Sequence, residues 1–236
     1  RNLNRIPNTT MADARAKRLK VHAIKDAIHR TGLGTRVVAI PQNLWSAEAV
    51  RAVAQCDVLF GCVDSIDGRY LLNTLATHYT LPYFDLGVRI DAVPNASGAA
   101  RVREVCGSVH YLQPGRSSLM SRGVFSMEQV AAAGLRRRDP SAYMQQLKDG
   151  YIAGAQEDSP AVISLNTFIS TLAVNEFLSR IHRFREEDSR TFGQVEASLA
   201  SMEIFAEPED GVCSLLYRDV GRGDRLPLLG QLDISK

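Results

Sequence analysis

An α/β fold follows from three features of the 236-residue sequence: a mostly parallel sheet with antiparallel extension strands and a small C-terminal β appendage. Short apolar runs alternate with helical stretches up to about residue 90, the rhythm of βαβ units. One of these runs, residues 57–62, is apolar enough for a strand buried on both faces, and it ends at Val63-Asp64-Ser65, where an acid meets the loop. From residue 101 to 112 the pattern turns to strict alternation (RVREVCGSVHYL), which suits antiparallel, half-exposed strands.

The elements follow in order. Residues 13–31 read as one helix: Val21, Ile24 and Ile28 keep an apolar stripe, with Lys20, Lys25 and Arg30 off it. Gly32-Leu33-Gly34 stops it. Residues 35–40 (TRVVAI) read as a strand closed by Pro41. A helix over 46–55 leads to the strand at 57–62. Ser65 or Asp64 caps a helix over 67–80, and a short strand covers 82–86. Beyond the alternating segment, PGRSSLMSRG is loop-like. Ser126 and Gln129 form a capping box for a helix to Leu135, Arg136-Arg137-Arg138 reads as a solvated turn, and residues 139–148 are helical. Residues 160–181 form a long helix, apolar nearly all round, which belongs in the core or in an interface. Short strands are expected near 202–205 and 212–217, followed by a glycine-punctuated tail.

Ligands of open parallel sheets bind at the carboxyl ends of strands, so Asp64 is placed to hold a metal or a nucleotide, or else only to cap a helix. Other pieces stand in one order around it: Asn2-Leu3-Asn4-Arg5, then Leu19-Lys20-Val21 opening a helix, then Cys62-Val63-Asp64 followed by Arg69 and Asn73, then Leu81-Pro82-Tyr83-Phe84-Asp85-Leu86-Gly87-Val88. Together they resemble the ThiF/MoeB/HesA adenylyltransferases, the family that includes the ubiquitin-activating enzymes. Each piece alone is weak; four in register are specific, and the resemblance fades after about residue 112.

The resemblance implies a Rossmann-like adenylation domain over 1–186 with a crossover loop at about 113–160, and a C-terminal extension over 187–236 packed on it. It implies ATP and Mg2+ as cofactors, with Asp64 as the magnesium ligand. Arg5 and Lys20 would hold the phosphates, the first as a planar fork and the second as a point charge. Asn2 would bond a ribose or phosphate oxygen, and Asn43 would lie beside the adenine. The interval from Arg5 to Lys20 is longer than the family's, which leaves Lys17 and Arg18 as rivals for the lysine's role. Arg69 and Asn73 share a helix face and belong either to the motif or to the bracing of the Asp64 loop. The implied partners are a ubiquitin-like or ThiS/MoaD-like carrier protein and a second copy of the chain.

Two departures bear on the chemistry. Many relatives carry a loop cysteine that forms a thioester; here Ser117, Ser118 and Ser121 stand in the comparable stretch, and serine does not support that exchange. The expectation is a reaction that stops at the acyl-adenylate, beneath a loop acting as a cover over the carrier's tail. No G-x-G-x-x-G turn occurs. The chain opens at Arg1 in mid-motif, so the phosphate turn either lies upstream or is lacking.

Composition excludes other classes. A formal charge of +2 with 45% hydrophobic and 23% charged residues argues against nucleic acid and membrane partners. No apolar run reaches the roughly 18 residues of a membrane span. The four cysteines form no C-x-x-C pair, so no zinc site is expected; Cys56 and Cys62 read as reduced core thiols, in keeping with a cytoplasmic setting. His22, His29, His78, His110 and His182 show no metal-binding spacing. Three functions compete: adenylation of a carrier's C-terminal carboxylate, a catalytically reduced binding subunit of the same fold, and a nicotinamide oxidoreductase. The last wants a glycine fingerprint and a ribose-binding acid, and both are missing.

Overall fold

The computed structural model describes residues 6–94, 100–152, 162–209, 211–223, 228–230 and 234. Two helices replace the single one expected over 13–31. Helix α1 (Met11–Arg15) is opened by a capping box between Thr10 and Asp13, and α2 (Lys20–Arg30) follows. The break lies at Lys17, whose φ of 49° is left-handed and ends any helix. Arg18 then reaches back to Asp13 at 3.5 Å and forward to Asp26, so the joint is tied by ion pairs.

Residues 35–40 are not a strand. Among the described residues the next strand, β1 (Leu59–Gly61), bonds to β2 (Tyr83–Pro94) alone and its other edge stays open; residues 35–40 form no ladder with it and lie exposed or half-buried. Helix α3 (Ala47–Val53), capped by Ser46, and α4 (Ile66–His78), capped by Ser65, flank β1. β2 runs parallel to β1, and β3 (Ala100–Leu112) turns back antiparallel with a register shift at Asp91/Ala92. After α5 (Met127–Arg138), α6 (Pro140–Lys148) and α7 (Ile163–His182) come β4 (Phe192–Ser198) and β5 (Glu203–Pro208), both antiparallel.

The sheet order is β1-β2-β3-β4-β5. The α/β class and its antiparallel extension hold. Within the described residues, however, the parallel part is one pair, and the other three pairs are antiparallel. β4 was not expected, and it continues the sheet directly from β3. Residues 212–217 are turns entering a 3-10 helix at Tyr217–Asp219, not a strand. The three arginines 136–138 complete the last turn of α5 and are no solvated turn; Arg137 is held by a buried acid described below.

Successive residues of β2 serve two cores. Tyr83 and its cross-strand partner Leu112 join Val50, Leu71, Leu75 and Leu119 under α4. Phe84, with Val109 and Ala197, meets Leu165, Ile169 and Ala173 of α7 on the other face. Each fully buried side chain of this size contributes about 1.5–3 kcal/mol. Gly107 permits the α7 contact, since a Cβ there would lie 2.5 Å from Ile169 Cγ1. α7 buries one stripe and leaves Ile163, Val174 and Ile181 exposed on the other side. Among the described residues no helix is long and apolar enough to cross a membrane.

Candidate functional site

The loop between β1 and α4 is closed by its own side chains. Ser65 Oγ accepts the N–H of Gly68 at 3.2 Å, which settles the capping role on Ser65. A Cβ on Gly68 would lie 2.7 Å from Val63 Cγ1 and 2.8 Å from Ser65 Oγ, so only glycine lets the loop fold onto the first turn of the helix. Asp64 is thereby left exposed at the carboxyl end of β1, with no hydrogen bond or ion pair among the described residues.

Asp67, Arg69, Asn73 and Asp85 nearby are engaged. Asp67, 4% exposed at its side chain, accepts Arg137 Nε at 2.7 Å, and the Arg137 guanidinium lies 3.9 Å from the centroid of the Trp45 ring. Arg69 Nε donates to both oxygens of the wholly buried Asp85 at 3.1 Å, and Tyr83 Oη donates to Asp85 Oδ1 at 2.6 Å. Burial, then Asp85, holds the Tyr83 hydroxyl well above its ordinary range. Asn73 Oδ1 accepts the N–H of Leu119 at 3.0 Å. The side chains of Arg69 and Asn73 therefore brace β2 and the segment after β3, and among the described residues neither side chain bonds the Asp64 loop. His110, opposite Asp85 in the β2–β3 ladder, is buried, and burial draws its pKa down to about 4.

Lys20 is exposed as the first residue of α2. Its rival Arg18 is taken up by Asp13 and Asp26, and Lys17 sits in the left-handed joint. Asn43 is exposed, and its Oδ1 accepts the N–H of Trp45 at 3.0 Å, shaping the turn before α3. Among the described residues no hydrogen bond or ion pair joins Lys20, Asn43 and Asp64. Asn2 and Arg5 lie outside the described residues. No group of three or more His, Cys, Asp or Glu among the described residues could hold a metal ion by itself. Two cavities, of about 360 and 390 Å3, lie elsewhere: one between Pro7 and the exposed face of α7, the other around Tyr111, Arg180 and Ser189.

The serine segment is tied to the interior by its own hydroxyls. Ser117 and Ser118 are buried. Ser117 Oγ donates to Glu209 Oε1 at 2.5 Å and accepts Arg122 Nε at 2.8 Å. Arg122 also donates to Glu209 Oε2 at 2.5 Å and to the carbonyls of Gly193 and Tyr111 at 2.6 and 2.9 Å. Cys56 and Cys62 are exposed, not core thiols, while Cys106 and Cys213 are buried. The protein around Cys62, then the carboxylates of Asp85 and Asp64, raise its thiol pKa. Sequence reasoning missed the Arg137–Asp67 and Arg122–Glu209 pairs, which join residues 70 and 87 positions apart.

A parallel strand pair with an acid at its carboxyl end, an antiparallel extension and a long helix behind it define a Rossmann-like α/β domain. The chain belongs to the ThiF family, which it matches over residues 1–213. Its fold is similar to that of MccB. The structure of E. coli MccB with ATP aligns at a TM-score of 0.57 and 14% identity, covering 90% of this chain and 54% of that one. E. coli MccB with AMPCPP and selenomethionine MccA gives 0.57 and 13%, covering 91% and 54%. The microcin C7 biosynthetic enzyme MccB in complex with N-formylated MccA gives 0.61 and 14%, covering 91% and 56%. The chain thus spans a little over half the length of these neighbours. No curated protein matches its sequence significantly.

Proposed function

We propose that the chain adenylates the C-terminal carboxylate of a peptide or of a ubiquitin-like or sulfur-carrier protein, using ATP. The observation that carries this reading is Asp64, an exposed carboxylate without a partner among the described residues, at the carboxyl end of β1, in a loop whose shape Ser65 and Gly68 fix. Membership of the ThiF family supports it, as do fold neighbours that were solved with ATP, with AMPCPP and with MccA.

In the reaction a carboxylate oxygen of the carrier bonds to the α-phosphorus of ATP, the bond from that phosphorus to the β-phosphate bridging oxygen breaks, and pyrophosphate leaves. Positioning and charge neutralisation dominate such steps. One free carboxylate fits magnesium, which takes one or two protein carboxylates and completes its shell with phosphates and water. Asp64 would hold the ion, which neutralises phosphate charge. Lys20 would meet a phosphate, Asn43 would lie by the base, and Asn2 and Arg5 would complete the phosphate site. Ser117 and Ser118 are buried and bonded, Ser121 is exposed but bonded to the Ser118 carbonyl, and Cys106 is buried, which favours an acyl-adenylate that passes to an outside acceptor.

ATP–pyrophosphate exchange with candidate carriers on the full chain tests the reading. Exchange is expected for the wild type and is expected to be lost in Asp64→Ala at unchanged thermal midpoint. Near-normal exchange in that variant would remove Asp64 from the site. Carrier binding without exchange in the wild type would instead favour a catalytically reduced binding subunit. A thiol-sensitive adduct on Cys62 or Cys106 would overturn the absence of a thioester step.

A further inference from the structure

We propose that Arg137 is a positioning residue of the nucleotide site, one that ties the loop carrying Asp64 to the loop carrying Asn43. The inference rests on the adenylation reading above and adds a residue that neither the motif nor the family resemblance marks.

The geometry is that of a two-handed clamp. Arg137 enters from the last turn of α5, within the segment that follows the antiparallel strands. Its Nε donates to Asp67 Oδ2 at 2.7 Å, and Asp67 sits in the first turn of α4, three residues beyond Asp64. The central carbon of the same guanidinium lies over the Trp45 ring, 3.9 Å from its centroid, and the backbone N–H of Trp45 donates to Asn43 Oδ1 at 3.0 Å. Planarity lets one arginine pair through its edge and stack through its face together; a lysine ammonium, a point charge without a plane, keeps the ion pair but has no face to stack. Asp67 is buried and Arg137 half-buried, so solvent screens the contact little. The loops are joined to one another here through a side chain from a third segment. Their separation, which sets how base and phosphates are met at once, follows the clamp.

Trp45 is the sole tryptophan, so its emission reports the stack directly. The full chain is titrated with ATP and magnesium chloride, and binding is followed by calorimetry and by Trp45 fluorescence. Arg137→Ala should shift Trp45 emission in the free protein and weaken MgATP binding about tenfold, the scale of losing a supporting partner. Arg137→Lys should keep the Asp67 pair, lose the stack and bind with intermediate affinity. Asp67→Asn should weaken MgATP while leaving the emission of the free protein unchanged. Should Arg137→Ala fail to fold, the other two variants decide. A purely structural brace would lower the thermal midpoint yet leave the MgATP affinity of the folded protein as in the wild type, and that result in both Arg137→Lys and Asp67→Asn overturns the inference. A wild-type chain that binds no MgATP removes the nucleotide reading itself and this inference with it; tight binding by wild type and variants alike removes this inference alone.

Discussion

Replacing Asp85 by asparagine removes one charge from the centre of the molecule and almost no volume. Asp85 is wholly buried, and its partner Arg69 is 17% exposed at the side chain. The amide oxygen still accepts the Tyr83 hydroxyl, so that bond survives, but the guanidinium loses its counter-charge. Breaking a buried pair costs about 3–5 kcal/mol, and the partial exposure of Arg69 puts this case near the low end, about 3 kcal/mol. Asp85→Ala adds a stranded Tyr83 hydroxyl, another 1 kcal/mol or roughly that. Arg69→Met, which leaves the carboxylate with Tyr83 alone, should cost a similar amount. In the double variant Arg69→Met/Asp85→Leu no charge remains buried, and its stability should lie within about 1–2 kcal/mol of wild type. Urea unfolding at neutral pH measures all four and the single variant Asp85→Leu that closes the cycle, with unchanged slopes required for the comparison. Singles that cost under about 1 kcal/mol, or a double variant equal to the sum of its singles, would show that Arg69 and Asp85 do not act as a buried pair.

Two further outcomes are expected. His110 keeps a pKa near 4 when folded, against an ordinary 6.5 unfolded, because burial disfavours its charged form. Between those values the unfolded chain binds the extra proton, so the contribution is whole above pH 6.5 and is lost as pH falls toward 4, at about 1.4 kcal/mol per unit. The stability lost from pH 7 to 4.5 should shrink by about 2–3 kcal/mol in His110→Gln; equal losses in the two proteins would contradict the assignment. On α7, Ile163, Val174 and Ile181 are exposed at 42%, 48% and 56% along one face, which suits a second copy of the chain. Light scattering at micromolar concentration should give a dimeric mass that Val174→Glu reduces to a monomer, and a monomeric wild type would exclude the homodimer.

The sequence disclosed what short-range chemistry determines. The α4 cap, expected from Ser65 or Asp64 and made by Ser65, the Ser126–Gln129 capping box and the alternation of β3 are each complete within a few residues. It misled where an outcome depends on a distant partner. The TRVVAI run has strand composition, yet it joins neither edge of the sheet. The Arg136–Arg138 run has the composition of a solvated turn, yet Asp67 and Trp45 draw Arg137 inward. Strand β4 did alternate, but its inward positions are Gly193, Val195 and Ala197, small enough to hide the apolar signal. Asp85 reads as an acid in an apolar strand, and only the fold shows that Arg69 from the preceding helix neutralises it.

This division also explains why Asp64 stands out. Helix α4 is the hub of the molecule, and its polar residues hold separate segments: Asp67 holds α5, Arg69 holds β2, and Asn73 holds the stretch at Leu119. Even its last carbonyls are used, since Thr77 and His78 accept the N–H groups of Gly221 and Gly223. A buried polar group without a partner is costly, and this helix supplies partners for Asp67, Arg69 and Asn73 from three separate segments. Asp64 is exempt because it stays in water. Its backbone is nevertheless confined by the Ser65 cap and by the packing of Val63 on Gly68. A carboxylate that the fold positions but does not pair contributes nothing visible to stability. Its substitution should therefore leave unfolding unchanged while abolishing exchange, a separation that the paired acids Asp67 and Asp85 are not expected to show.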